Sequence, residues 1–337
     1  MSGISRRGAL GMLGGAATLP LMGAPAIAAT KLRVGALRFT SHAASFVAFE
    51  RGYFADEGLE VEFKFFQAAQ PMAVAIASGD ADYAVTAISG GLISLAEKGA
   101  ARVIGGALRE EKGIDGQKIL VSNAAYEAGL TSPAQLDGRS WGMTQAGSSF
   151  HYMGSKVAAA EGVSVRFKPL QKVGAIIGAL KSGQIDAWSI VPHIAKALAG
   201  AGKVKIIGNI ADYLPDYQVT TVFTSAANAA NERAQTEAFL RAFSRGAADF
   251  NAALVDRTAG EEAAEEMVKL IHKYVYADRP LEKAAKSIRN GAMRISPNAA
   301  LNTASVRDQL DWFRSEGLIK DSITFDTLVD PSYAEMI

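Results

Sequence analysis

The sequence predicts a two-lobed α/β protein, each lobe a central sheet flanked by helices, with a helical C-terminal region packed on the lobes. Three observations predict it. Short apolar runs alternate with helical patterns from residue 32 to residue 207, the signature of successive βαβ units. One turn pattern occurs twice: Ala75-Ile76-Ala77-Ser78-Gly79-Asp80-Ala81-Asp82 and Ala179-Leu180-Lys181-Ser182-Gly183-Gln184-Ile185-Asp186, each leading into an apolar run. The two glycines lie 104 residues apart, too far for a solenoid, so the copies mark two similar lobes. Beyond residue 231 the character changes to Ala, Glu, Lys and Arg with apolar residues at helical spacing.

The first residues read as an export signal. Ser5-Arg6-Arg7-Gly8-Ala9-Leu10 is a twin-arginine start, an apolar Gly/Ala-rich stretch follows, and Ala26-Ile27-Ala28 is a small-residue cleavage site. Residues 1–28 are therefore expected to be removed, placing the mature chain in the periplasm. No long apolar run follows, so a soluble mature protein is expected. The signal carries two arginines and no acid, and its loss takes the formal charge from +1 to −1. A near-neutral chain with scattered charges has no basic stripe for nucleic acid. There is no cysteine, which rules out disulfides, thiolate nucleophiles, thiolate zinc sites and iron–sulfur clusters. With no H-E-x-x-H spacing either, no metal and no cofactor are expected. The remaining roughly 310 residues form a large core, more often in two units than one.

Taken in order, residues 32–37 read as a buried strand, 43–50 as a helix ended by Gly52, and 59–65 as an alternating strand. Residues 71–78 form a helix opened by Pro71, 83–86 a strand, 91–98 a helix and 102–108 a strand. This order predicts a parallel sheet. The pattern restarts with a strand over 118–122, a turn capped by Ser132 with Pro133 next, and a strand over 139–143. A helix then runs to about Glu161, followed by a strand over 163–169, a helix over 173–181 and a strand over 185–191. Pro192 opens a helix to Gly200, 204–207 is a strand, and the β-branched run 219–223 brings the chain back to the first lobe. Helices follow over 231–254, 260–276, 280–289 and 298–316. The expected organisation is a first lobe over 31–118, a second over 119–218, and a return with C-terminal helices over 219–337.

The run Glu50-Arg51-Gly52-Tyr53-Phe54-Ala55-Asp56-Glu57-Gly58-Leu59-Glu60-Val61 resembles the signature of periplasmic solute-binding proteins serving nitrate, sulfonate, taurine and thiamine-precursor ABC importers. Both S-G-x-x-D turns, Lys98-Gly99, the stretch 132–138, Pro192 and the closing Glu316-Gly317-Leu318-Ile319 fall in that family's order, so the resemblance spans the mature chain. It implies the type II periplasmic binding protein fold, two crossing strands between lobes, one small ligand in the cleft, and docking of a monomer onto ABC permease subunits.

In open α/β sheets the ligand lies beyond the carboxyl ends of the strands. Those ends supply the candidates. After the first strand come Arg38, Thr40, Ser41 and His42. Arg38 is either a bidentate fork for a carboxylate or sulfonate or a surface charge, and Thr40 and Ser41 are hydroxyl donors or helix caps. His42 is similar in place to a histidine of the thiamine-precursor members, but the Trp and Asn expected before it are missing. Thr86 and Ser89 follow the third strand, and Arg109 is either in the cleft or salt-bridged in the hinge. In the second lobe Gln145, Gly147, Ser148, Ser149 and His151 surround a helix start, where orphan N–H groups and hydroxyls suit an oxyanion; the family's ligand contacts fall there. Ser189 and Pro192 close the set. Many family members have an acid just before this Pro; here it is Val191, which tilts the ligand away from amino sulfonates. Tyr213, Asp216, Tyr217 and Gln218 lie near the return crossing. The reading is a binding protein, not an enzyme, for a small organic anion. The alternative is a pyrimidine-precursor binder or a synthase-like enzyme of the same fold.

Overall fold

Ten strands among the described residues form two five-stranded sheets. The computed structural model describes residues 29–337, so the export segment expected over 1–28 lies outside the described residues. The first sheet contains β1 (Thr30–Ala36), β2 (Leu59–Phe65), β3 (Tyr83–Thr86) and β4 (Ala101–Gly106). The second contains β5 (Lys118–Ser122), β6 (Ser140–Met143), β7 (Arg166–Pro169), β8 (Ala187–Ile190) and β9 (Val204–Asn209). Strand β10 (Thr221–Ser225) returns to the first sheet, as its β-branched composition led one to expect.

The sheets are mixed, which corrects the expectation of a parallel one. Their orders are β2-β1-β3-β10-β4 and β7-β6-β8-β5-β9. Strand β10 runs antiparallel to β3 and β4, and β5 runs antiparallel to β8 and β9. In each sheet the reversed strand is the one that has just arrived from the other lobe. Strands β3, β5, β6 and β8 are buried along their whole length, because helices cover both faces.

The repeated turn ties two neighbouring interior strands in each sheet. Gly79 and Gly183 take φ of 77° and 75°, the left-handed conformation that ends the preceding helix without a Cβ clash. Asp82 Oδ2 accepts the backbone N–H of Arg33 at 2.7 Å and the Arg33 guanidinium, pinning β1 at its middle residue. Asp186 Oδ2 accepts the backbone N–H and the hydroxyl of Ser140, both at 2.7 Å, pinning β6 in the same way. Both aspartates are therefore strand anchors.

The two crossings between lobes run side by side. Ala107 N–H donates to Thr220 O, Glu110 N–H to Tyr217 O, and Val219 N–H to Leu108 O. Helices Arg233–Phe250, Gly260–His272, Leu281–Arg289 and Thr303–Ser315 follow. The long one continues as a π-turn over Asn251–Val255. The expected helix over 231–254 in fact begins after a break at Glu232, whose ψ of 48° is not helical. This C-terminal region reaches the second lobe: Tyr276, in the loop between Gly260–His272 and Leu281–Arg289, brings its O–H to 2.9 Å from His193 Nδ1, and Asp308 accepts from Tyr152 and Lys156. No helix of the described residues is long and apolar enough to cross a membrane.

Candidate functional site

The strand ends of the two sheets meet in a cleft with an inner and an outer part. The lobes touch across it: Gln145 Nε2 donates to Gln70 Oε1 at 2.7 Å, and Gly90 N–H to Gly147 O at 3.0 Å.

The inner chamber has a volume of about 60 Å³, room for a few waters or a small functional group. His42, Thr86, Ser148 and Ser149 line it, with Gln117, Thr144 and Thr220. Phe39 and Phe150 supply aromatic walls. Its lining contains no Asp, Glu, Lys or Arg. The helix Ser149–Glu161 starts at this wall. Ser148 caps it, accepting from His151 N–H, so the dipole end and its orphan donors face the chamber.

His42 is fully enclosed. Its Nδ1 accepts a long bond of 3.4 Å from Leu37 N–H, so the neutral ring carries its proton on Nε2. That Nε2 is buried without a partner. Burial pulls the imidazole down to about 3, and His193, buried beside it, also falls to about 3, first through burial and then through the repulsion of His42. Both rings are uncharged at neutral pH.

The outer part of the cleft is larger, about 400 Å³, and adjoins the chamber across Leu37, Phe39 and Val173, which line both. Arg38 lies here. Its guanidinium stacks 3.8 Å from the Phe65 ring centre and donates to Tyr274 O at 3.2 Å.

Most other candidates stand elsewhere. Thr40 gives its hydroxyl to Gly291 O at 3.0 Å, whereas Ser41 lines the inner chamber beside His42; neither caps the following helix, because a 3₁₀ turn over Thr40–His42 precedes it. Ser89 is the cap of its own helix, accepting from Leu92 N–H. Arg109 is paired with Glu111 at 2.7 Å in the crossing, the hinge alternative of the two left open. Gln145 and Gly147 are spent on contacts between lobes. His151 packs edge-on against Phe167 and Trp312 and accepts from Gly147 N–H. Ser189 points to Met153 Sδ, and Pro192 is the buried first residue of its helix. Tyr213 donates to Glu161, Asp216 O accepts from Asn302, and Gln218 and Tyr217 are buried in the crossings.

Sequence reasoning passed over Gln117, Thr144, Lys181, Tyr276 and Arg279. The last three line the outer cleft. No local signal marks them, since they stand at a helix end and in a C-terminal loop that only the tertiary fold brings to the opening.

The likeness to known proteins agrees with this geometry. The family model described as NMT1/THI5 like matches residues 39–253. The chain belongs to the NMT1/THI5-like family. No curated protein matches the sequence. Among solved structures, this NMT1/THI5-like chain resembles the alkanesulfonate-binding protein SsuA of Xanthomonas axonopodis pv. citri bound to MOPS, at 17% identity and a TM-score of 0.69, covering 89% of this chain and 98% of that one. It resembles the periplasmic nitrate-binding protein NrtA of Synechocystis PCC 6803 at 16% identity and 0.66, covering 88% and 84%. It also resembles a mutant of DszB in complex with biphenyl-2-sulfinic acid, at 13% identity and 0.56, covering 90% and 97%. The fold is thus the two-lobed periplasmic binding protein fold.

Proposed function

We propose that the chain is the solute-binding component of an ABC importer, exported through the twin-arginine route to the periplasm, where it works as a monomer. It captures a small organic anion, a sulfonate or an aromatic or aliphatic carboxylate, between its lobes and hands it to a membrane permease. One observation carries this reading: the chamber lies at the carboxyl ends of strands from both lobes, and a capped helix start and a buried, unpartnered imidazole N–H both border it. Such donors hold acceptor atoms of the ligand without a buried cation, and Arg38 at the outer part meets its negative charge. The sulfonate- and nitrate-binding proteins of like fold support the ligand class.

Calorimetry with a panel of sulfonates, carboxylates and nitrate tests it. At least one anion is expected to bind, and the Arg38→Ala, Ser148→Ala double variant to bind it at least ~10-fold more weakly. A ligand at 100 times its Kd adds about 2.7 kcal/mol of stability, so a melting shift accompanies binding. An unaltered Kd in the double variant removes the site assignment, and a turned-over compound removes the binding-protein reading. The pyrimidine-precursor alternative keeps one support, the free His42 Nε2–H, which suits a ring nitrogen.

A further inference from the structure

The cleft separates its charge from its neutral donors. The inner chamber has only uncharged polar groups, while the outer part carries Arg38, Lys181 and Arg279 and no acid. No ion pair among the described residues involves these three cations. The acid next to Arg279, Asp278, acts on Tyr276 but does not line the cleft. Two of the cations are oriented. Arg38 lies on Phe65 at 3.8 Å, and Arg279 on Tyr276 at 4.5 Å, an arrangement that fixes the guanidinium plane; one Arg38 N–H is given to Tyr274 O, and the others remain for a ligand. Lys181 comes from the second lobe, at the end of the helix Val173–Lys181. Closing the lobes therefore brings three like charges around one opening, which costs energy until an anion enters.

We infer that the ligand is a flat molecule whose outer end carries two negative charges, a dicarboxylate or a phosphoryl-type group, held by Arg38, Lys181 and Arg279, while its uncharged end reaches the inner chamber. A single negative charge leaves most of the outer charge unmatched, and a bare dianion leaves the aromatic walls of Phe39, Phe65 and Phe66 unused. This rests on the anion-binding reading above and gives Lys181 and Arg279 a specificity role.

The experiment uses the mature chain and four probes: phthalate and phenylphosphonate as flat dianions, benzoate as the same body with one charge, and sulfate as a dianion without a body. Calorimetry at low salt is run on wild type and on the Lys181→Gln, Arg279→Gln double variant, whose two exposed side chains leave the core intact. Phthalate or phenylphosphonate is expected to bind wild type at least ~10-fold tighter than benzoate or sulfate. The double variant is expected to lose at least ~10-fold more affinity for that dianion than for benzoate, and to show a weaker salt dependence. Benzoate binding as tightly as the flat dianions, sulfate matching them, or dianion affinity unchanged in the variant each overturns the inference and leaves the anion-binding reading standing. Failure of these four and of every anion in the earlier panel overturns both. Phthalate binding without phenylphosphonate assigns a dicarboxylate, and the reverse a phosphoryl group; either supports the inference.

Discussion

At the residue level, three buried titratable groups set opposing pH dependences. Glu110 Oε1 accepts from the Gln117 backbone at 3.0 Å and from its side chain at 3.2 Å, while Oε2 has no partner. Burial pushes this carboxyl up to about 7, against the pull of the Gln117 bonds and Lys118 and with a small push from Asp115. Its folded pKa lies above the unfolded value, so its contribution is full below about pH 4.5 and is lost as pH rises to about 7. His42 and His193 have folded values near 3, below their unfolded 6.5. Their contribution is full above about pH 6.5 and is lost as pH falls towards 3. Two imidazoles outweigh one carboxyl between pH 4.5 and 6.5, so these groups place maximum stability near pH 6.5. Urea unfolding across pH 4–9 is expected to peak there. Glu110→Gln is expected to remove the alkaline decline and to exceed wild type at pH 8 by at most about 3 kcal/mol. A wild-type profile that keeps rising to pH 8 contradicts this. Part of the candidate chamber was legible at this scale: the two serines of the Gly-Ser-Ser at a helix start and the His42 after a strand end line it. The partner of the Thr40 hydroxyl was not legible, because it is Gly291 O, 251 residues away in sequence.

At the level of elements, the repeated turn is where sequence and structure agree most closely. Gly79 and Gly183 need the left-handed conformation, and the aspartate three residues on reaches the neighbouring strand. Asp186→Ala leaves the Ser140 N–H and hydroxyl without their shared acceptor, and Asp82→Ala does the same to the Arg33 N–H. Each is expected to cost about 1–3 kcal/mol. Because both aspartates stand at the strand starts, far from the carboxyl ends, anion affinity should hold at temperatures where the variants stay folded. Denaturant curves paired with calorimetry check this, and an affinity loss beyond about threefold gives the turns a role in the cleft. Strand positions were readable from the apolar runs, and helices 173–181 and 192–200 from Gly and Pro at their ends. Strand direction was not. A run such as 219–223 looks the same whichever way it enters a sheet, so the reversal of β10 and β5 is a property of the crossings. The short helix Asn123–Glu127 also escaped notice, since five residues carry no period.

For the whole molecule, the question is what holds the lobes together when the cleft is shut. The helix Thr303–Ser315 spans the gap. Gln309 and Ser305 bond to Gln218 at the crossing. Asp308 accepts from Tyr152 and, at 2.6 Å, from Lys156 of the second lobe. Trp312 lies on His151 and Tyr152. Hinge opening must either break the Asp308 pair or carry this helix along with the second lobe. Charged hydrogen bonds of this kind contribute about 1.5–3 kcal/mol when buried and less when half-exposed, as here. If they favour the closed arrangement, Asp308→Asn shifts the population towards the open one. Ligand affinity then falls by the same factor, roughly 3–10-fold, through the smaller competent fraction. Small-angle scattering of the ligand-free variant should give a larger radius of gyration than wild type, and saturating ligand should restore it. Tyr152→Phe should move both quantities in the same direction. Unchanged scattering with weakened binding assigns Asp308 to the binding surface instead, and no change in either means that the helix travels with the second lobe and leaves the hinge free.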